Sequence, residues 1–237
     1  MEANEPHPLC LKAIEELQDY LSNQQDWTHN FGLSSNQDGA IIGKMFGVLV
    51  VQNQEGRIGY LSAFSGKLAG GNHHAKFVPP VFDSLEENGF LSHGMIELSR
   101  MNREIKIENE LQVEGYRNRL QTLKANRRNY SNALQYELFD HYSFMNLKGE
   151  EKSLNELFKN ASYKNPPAGA GECAGPKLLQ YAFIKGMKPF AIAEFWWGQS
   201  PKSTLWKHGH YYPCCREKCE PILTHMLDGL LNLDKEN

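Results

Sequence analysis

The sequence predicts an α/β fold, or α+β with a small mixed sheet, in which helices flank the sheet and a helical segment is inserted. Three observations lead there. Two apolar runs rich in strand-forming residues, MFGVLVVQ (45–52) and RIGYLSAF (57–64), flank a short glycine-containing stretch at 53–56, the pattern of an antiparallel hairpin. A third run, PFAIAEFWWG (189–198), supplies another strand far along the chain. Between the hairpin and this strand lies a polar stretch whose apolar residues recur at helical spacing.

Leu9, Ala13, Leu17 and Leu21 recur at four-residue steps with Ile14 beside them, so residues 8–22 form an amphipathic helix that opens on Pro8. Residues 23–43, rich in Asn, Gln, Ser and Gly, read as loop. Gly66, Gly70 and Gly71, with Pro79 and Pro80, keep residues 65–83 irregular. From 84 to 163 the reading is a long helical arm or hairpin: Val113, Tyr116, Leu120 and Leu123 step by three, four and three, and Tyr130, Leu134 and Leu138 extend the stripe. The turn-rich KNPPAGAGECAGP (164–176) returns the chain to a helix at 173–186, the 189–197 strand and a last helix at 214–231. The domain organisation expected is one α/β domain from 1–83 and 164–237, interrupted by an inserted arm at 84–163.

A chain of 237 residues, 41% of them hydrophobic, can bury one large core or two small ones. A net charge of −3 gives no global basic field, so any contact with nucleic acid must come from a local patch. No apolar run reaches the roughly 20 residues a bilayer span needs, and MEANEPHPLC has neither the basic nor the apolar part of a signal peptide. A cytoplasmic protein without membrane partners is expected. The sequence carries no G-x-x-x-x-G-K-[ST] phosphate loop and no G-x-S-x-G nucleophile elbow.

The chemistry concentrates in the last third. Four of the five cysteines, Cys173, Cys214, Cys215 and Cys219, lie there, with His208 and His210 in HGHYYPCCREKC. An odd count without a secretion signal suits reduced thiols or metal ligands better than disulfides. Thiolates and imidazoles suit zinc: Cys215 or Cys214 with Cys219 at a helix start, Cys173 at another, and His208 or His210 as a fourth ligand. Buried, unliganded cysteines are the alternative. A cysteine opening a helix, then a strand, then Pro-Cys opening another helix is also the order of the zinc deaminases, and the weak resemblance to that fold includes the preceding helix and hairpin. Their proton-carrying glutamate stands two residues after the first ligand, where this chain has Gly175. Glu172 or Glu194 would have to replace it through a different geometry, so a working deaminase is not expected.

Arg117, Arg119, Lys124, Arg127 and Arg128, interleaved with Tyr116 and Tyr130, could contact an RNA backbone, a solvated helix face being the alternative. Trp196 and Trp197 must face opposite sides of a strand, one into the core and the other free as a stacking platform or anchor. The blocks GKMFGVLVVQNQEGRIGYLSAFSGKLAG, FVPPVFD, PPAGAGECAGPKLLQYAF, AEFWWG and HGHYYPCCREKCEPIL together resemble the long N-terminal region of certain bacterial RluA-type RNA pseudouridine synthases. The resemblance spans nearly the whole chain. It implies uridine-to-pseudouridine isomerisation in structured RNA (rRNA or tRNA), which needs no cofactor and rests on an aspartate in an H-R-L-D-like motif of a separate catalytic domain. That motif is absent, and the sequence ends at LLNLDKEN, about where that domain would begin. The expectation is a non-catalytic accessory region that helps RNA binding or docks on a C-terminal synthase domain, with zinc at the cysteines and a homodimer through the arm as further readings.

Overall fold

The computed structural model describes residues 5–35, 38–159, 161 and 165–229. The chain divides into two compact units, one formed by residues 1–81 and 143–237 and the other by residues 82–142.

The first unit is a mixed α/β body. Helix α1 (Pro8–Asn23) is capped by His7, whose Nδ1 accepts the Leu9 N–H, and it buries Ala13, Ile14, Leu17 and Leu21 along the expected stripe, with Cys10 added. Strand β1 (Lys44–Gln52) pairs with β2 (Ile58–Phe64) through the hairpin, whose turn is held by Asn53 Oδ1 accepting the N–H groups of Glu55 and Arg57. On its other side β1 pairs with β5 (Lys188–Trp197), and β6 (Tyr211–Tyr212) lies beyond, giving the order β2-β1-β5-β6. Every pairing is antiparallel, so the sheet is not the mixed one expected. The cause is local. The turn at Lys185 and Gly186 reverses the chain at the end of β1, placing Lys188 opposite Gln52, and β5 can then only run back along its neighbour.

Alternation along β1 sends Phe46, Val48 and Val50 to the face covered by α1. Gly47, Leu49 and Val51 face the opposite way, beneath α5 (Ala174–Ile184). Burial on both faces explains the unbroken apolar run in the sequence. Phe46 and Phe195, opposite one another in register, stack with centroids 5.9 Å apart and join Phe77 and Phe64 in the core. Residues 143–158 belong to this unit rather than to the arm. They form the short ladder β3 (Ser143–Met145) with β4 (Glu151–Ser153), then α4 (Leu154–Phe158), which a reciprocal Ser153–Glu156 capping box starts. Fully buried Phe144, Leu154 and Phe158 anchor them, a signal that the charged KGEEK segment concealed in the sequence. The last helix, α6 (Arg216–Met226), is shorter than expected at both ends, residues 227–229 forming a turn, and buries Cys219, Ile222 and Met226; residues 230 and 231 of the predicted helix lie outside the described ones.

The second unit is a pair of helices, α2 (Phe90–Leu111) and α3 (Tyr116–His141), joined by a turn in which Gln112 and Gly115 take positive φ. They run antiparallel: Arg119 pairs with Glu108, Arg127 Nε donates to Asn102 Oδ1, and the Phe90 ring stacks on His141. Gly94 lets the helices approach, because a Cβ there would lie 2.5 Å from the Leu134 methyls. No helix among the described residues is long and apolar enough to cross a membrane.

Candidate metal centre

Two helix starts in the first unit carry the cysteines. Cys173 is the N-cap of α5 and Cys215 the N-cap of α6, both with extended backbone, while Cys219 lies one turn into α6. The Sγ atoms of Cys173, Cys215 and Cys219 all lie within 4.8 Å of one another, with Cys215 and Cys219 3.3 Å apart. Tetrahedral zinc with Zn–S bonds of about 2.3 Å holds its sulfurs about 3.8 Å apart, so this donor set fits the ion. The positive end of each helix favours negative charge on the sulfur at its start. Hydrogen bonds from Cys173 and Cys219 lower the Cys215 thiol, aided by the backbone N–H groups of Lys218 and Cys219. The same contacts act the other way on their partners: the hydrogen bond with Cys215 pushes Cys173 up to about 12, and bonding with Cys173 and Cys215 raises Cys219. Of the three thiols, Cys215 is the one whose surroundings favour loss of the proton. Burial runs the other way along the cluster, from exposed Cys215 through half-buried Cys173 to buried Cys219.

The other predicted ligands lie outside this cluster. Cys214 turns to the Glu194 carboxyl, and burial, with that carboxyl beside it, raises its thiol. His208 Nδ1 accepts the Gly198 N–H at 3.0 Å, and its ring meets Trp197 edge to face, so it secures a turn. His210 is exposed, and its carbonyl accepts the Trp196 N–H. Cys10 is sealed in the α1 core.

Gly175 has a reason. A Cβ there would lie 3.3 Å from Cys214 Sγ and 3.6 Å from Glu194 Oε1, so the missing side chain leaves room for a carboxyl arriving from β5. Glu194 Oε1 accepts the Gly175 N–H at 3.0 Å. Burial, only partly offset by the bonds from Gly175 and Cys214, pushes this carboxyl up to about 7. Glu172, the other acid considered, faces elsewhere: its charge supports the ammonium groups of Lys44 and Lys177.

Lys177 was not anticipated. It is 4% exposed, and its Nζ donates to the carbonyls of Phe64 (3.0 Å) and Gly66 (3.2 Å), while burial pushes the amine down to about 8. Ser65 Oγ accepts the Ala174 N–H, and the Gly66 N–H donates to the Glu172 carbonyl. Residues 64–66, at the end of β2, are thus clamped to the start of α5 and fix where Cys173 stands. Lys177 carried a visible signal, a charge inside the apolar AGPKLLQYAF, as Glu194 did inside AIAEFWW.

Trp197 is the core tryptophan, and Trp196 stacks on Trp206 with centroids 5.4 Å apart. In the second unit the five predicted RNA-binding residues divide. Arg119 is engaged by Glu108 and the carbonyls of Val113 and Glu114, and Arg127 by Asn102. Exposed Arg117, Lys124 and Arg128 are spaced by seven and four, so they share one face of α3. In comparisons with known proteins, no family model, no curated protein and no solved structure matches the chain significantly.

Proposed function

We propose that this chain is a non-catalytic accessory region of an RluA-type RNA pseudouridine synthase, holding a structural zinc ion and presenting a basic helix face to structured RNA. The gathering of Cys173, Cys215 and Cys219 from two helix starts carries the zinc part of the reading, and the RNA-modification setting rests on the resemblance of the sequence blocks. Zinc there would tie α5 to α6, cross-linking a region that hydrogen bonds already clamp to β2. The isomerisation itself needs no cofactor and would belong to a C-terminal synthase domain. Arg117, Lys124 and Arg128 would bind phosphates without reading sequence, and the α2–α3 pair is the surface for a second copy. Converting those three residues to glutamate should weaken binding to a structured RNA and make log K less dependent on log salt by about two to three units of slope. Unchanged affinity and slope would remove RNA from the proposal while leaving zinc binding to be scored by elemental analysis.

One observation favours a second reading, a hydrolytic deaminase-like site. The Glu194 carboxyl occupies the space beside Gly175 where a proton-carrying acid is expected in that fold. Bound zinc would supply Lewis acidity, and a carboxyl raised to about 7 would be able to take and return a proton near neutral pH. Ammonia released from cytidine- or adenosine-containing RNA by the zinc-loaded chain, and lost on Glu194→Gln, would promote this reading over the first.

A further inference from the structure

The cluster grades from an exposed cysteine to a buried one with their sulfurs 3.3 Å apart, which is the arrangement of an attacking thiol beside a resolving thiol. We propose that Cys215 and Cys219 form a peroxide-sensitive modification site, in which oxidation closes a disulfide between them and removes two of the three sulfurs from the metal. The metal-release part rests on the zinc reading above; the disulfide does not.

Hydroperoxides are the co-reactant. The Cys215 sulfur attacks one peroxide oxygen, forming S–O and breaking O–O; sulfur loses two electrons and the other oxygen leaves as water after taking a proton. The Cys219 sulfur then attacks the Cys215 sulfenic acid, forming S–S and breaking S–O, and the hydroxyl leaves as a second water. Two thiols and one hydrogen peroxide thus give one disulfide and two waters.

Access selects the order of events. Cys215 is exposed, whereas Cys219 is 1% exposed, so a peroxide in solution meets Cys215 first. Geometry selects the partner. Residues four apart at a helix start have Cα atoms about 6 Å apart, inside the range disulfides span. Cys215 is the N-cap, with φ −68° and ψ 141°, so its side chain is not committed to helical geometry. Bringing the sulfurs from 3.3 Å to bonding distance, about 2.05 Å, needs side-chain rotation and no shift of α5. Cys173 belongs to the other helix, whose start is tied to the end of β2 by the Ala174 N–H donated to Ser65 Oγ and by Lys177 Nζ donated to the Phe64 carbonyl.

The experiment uses the full chain, loaded with zinc and in parallel metal-free, treated with a small excess of hydrogen peroxide. Peptide mapping reads the disulfide and a chromogenic chelator reads the metal. The expected result is a Cys215–Cys219 bridge in both samples, one zinc released per bridge formed, and recovery of metal binding after reduction. Cys214→Ser should behave as the unaltered chain. Cys219→Ser, read by a sulfenic-acid trap, should accumulate the acid at Cys215. A bridge between Cys173 and Cys215, direct passage of Cys215 to sulfinic acid, or unmodified thiols in the metal-free chain would overturn the proposal. A chain that takes up no zinc yet forms the bridge would defeat the metal reading alone and support the disulfide.

Discussion

Cys219→Ser is expected to reduce zinc content from one equivalent per chain to none and to lower the thermal midpoint by roughly 10 °C in the presence of zinc. Two effects make it large. A ligand that binds only the folded chain stabilises it by about 4 kcal/mol when its free concentration is a thousand times Kd, and a chain of this size shifts by about 2–4 °C per kcal/mol. The serine hydroxyl does not ionise near neutral pH, so the donor set falls from three sulfurs to two, Cys173 and Cys215, too few to hold zinc tightly. Cys214→Ser is the control, because Cys214 Sγ is turned to Glu194 and lies outside the cluster. Elemental analysis and thermal melts, each with and without a chelator, check both parts. Equal melting of the two variants under all conditions would mean that metal contributes nothing to this fold.

The second large effect is a pH window set by Glu194. Its carboxyl moves from an ordinary 4.5 to about 7 through burial, partly offset by the Gly175 and Cys214 bonds. The folded chain therefore binds a proton that the unfolded chain has already released. The resulting stability is complete below 4.5 and drains away as pH rises to about 7, a loss on the order of 3 kcal/mol. Glu194→Gln keeps an oxygen to accept the Gly175 N–H and an N–H to meet Cys214, but cannot ionise. Urea unfolding of the metal-free variant should lack this decline, so the variant should be the more stable chain above pH 7. Curves for variant and unaltered chain that stay parallel from acid to neutral pH would show that the carboxyl does not titrate in this window.

Much of the first unit was legible because its local patterns and its packing agree. The α1 stripe, the hairpin with its asparagine-led turn, and the apolar run of β1 each imply one environment, and each occupies it. Strand direction was not legible: antiparallel pairing of β1 with β5 depends on a turn at Gly186 whose geometry no periodicity reveals. The short β3–β4 ladder was lost within charged residues because three-residue strands carry no period. At the thiol cluster, Cys173 and Cys219 were read from their positions near helix starts. Which of Cys214 and Cys215 joins them depends on neighbouring side chains turning to different partners, and the Glu194 carboxyl that engages Cys214 comes from a distant strand. His208 illustrates the same limit, since its acceptor nitrogen serves the Gly198 amide.

The pairing of β1 with β5 also has a temporal meaning. The strand at the centre of the first unit is synthesised early, yet the partner that closes its second edge emerges only after the whole α2–α3 pair has been made. During that interval the hairpin presents Val48, Val50 and Phe46 along a ribbon whose β1 edge, later covered by β5, is a bare row of backbone donors and acceptors. A nascent chain paused before residue 188 would be a template for edge-to-edge association until β5 arrives.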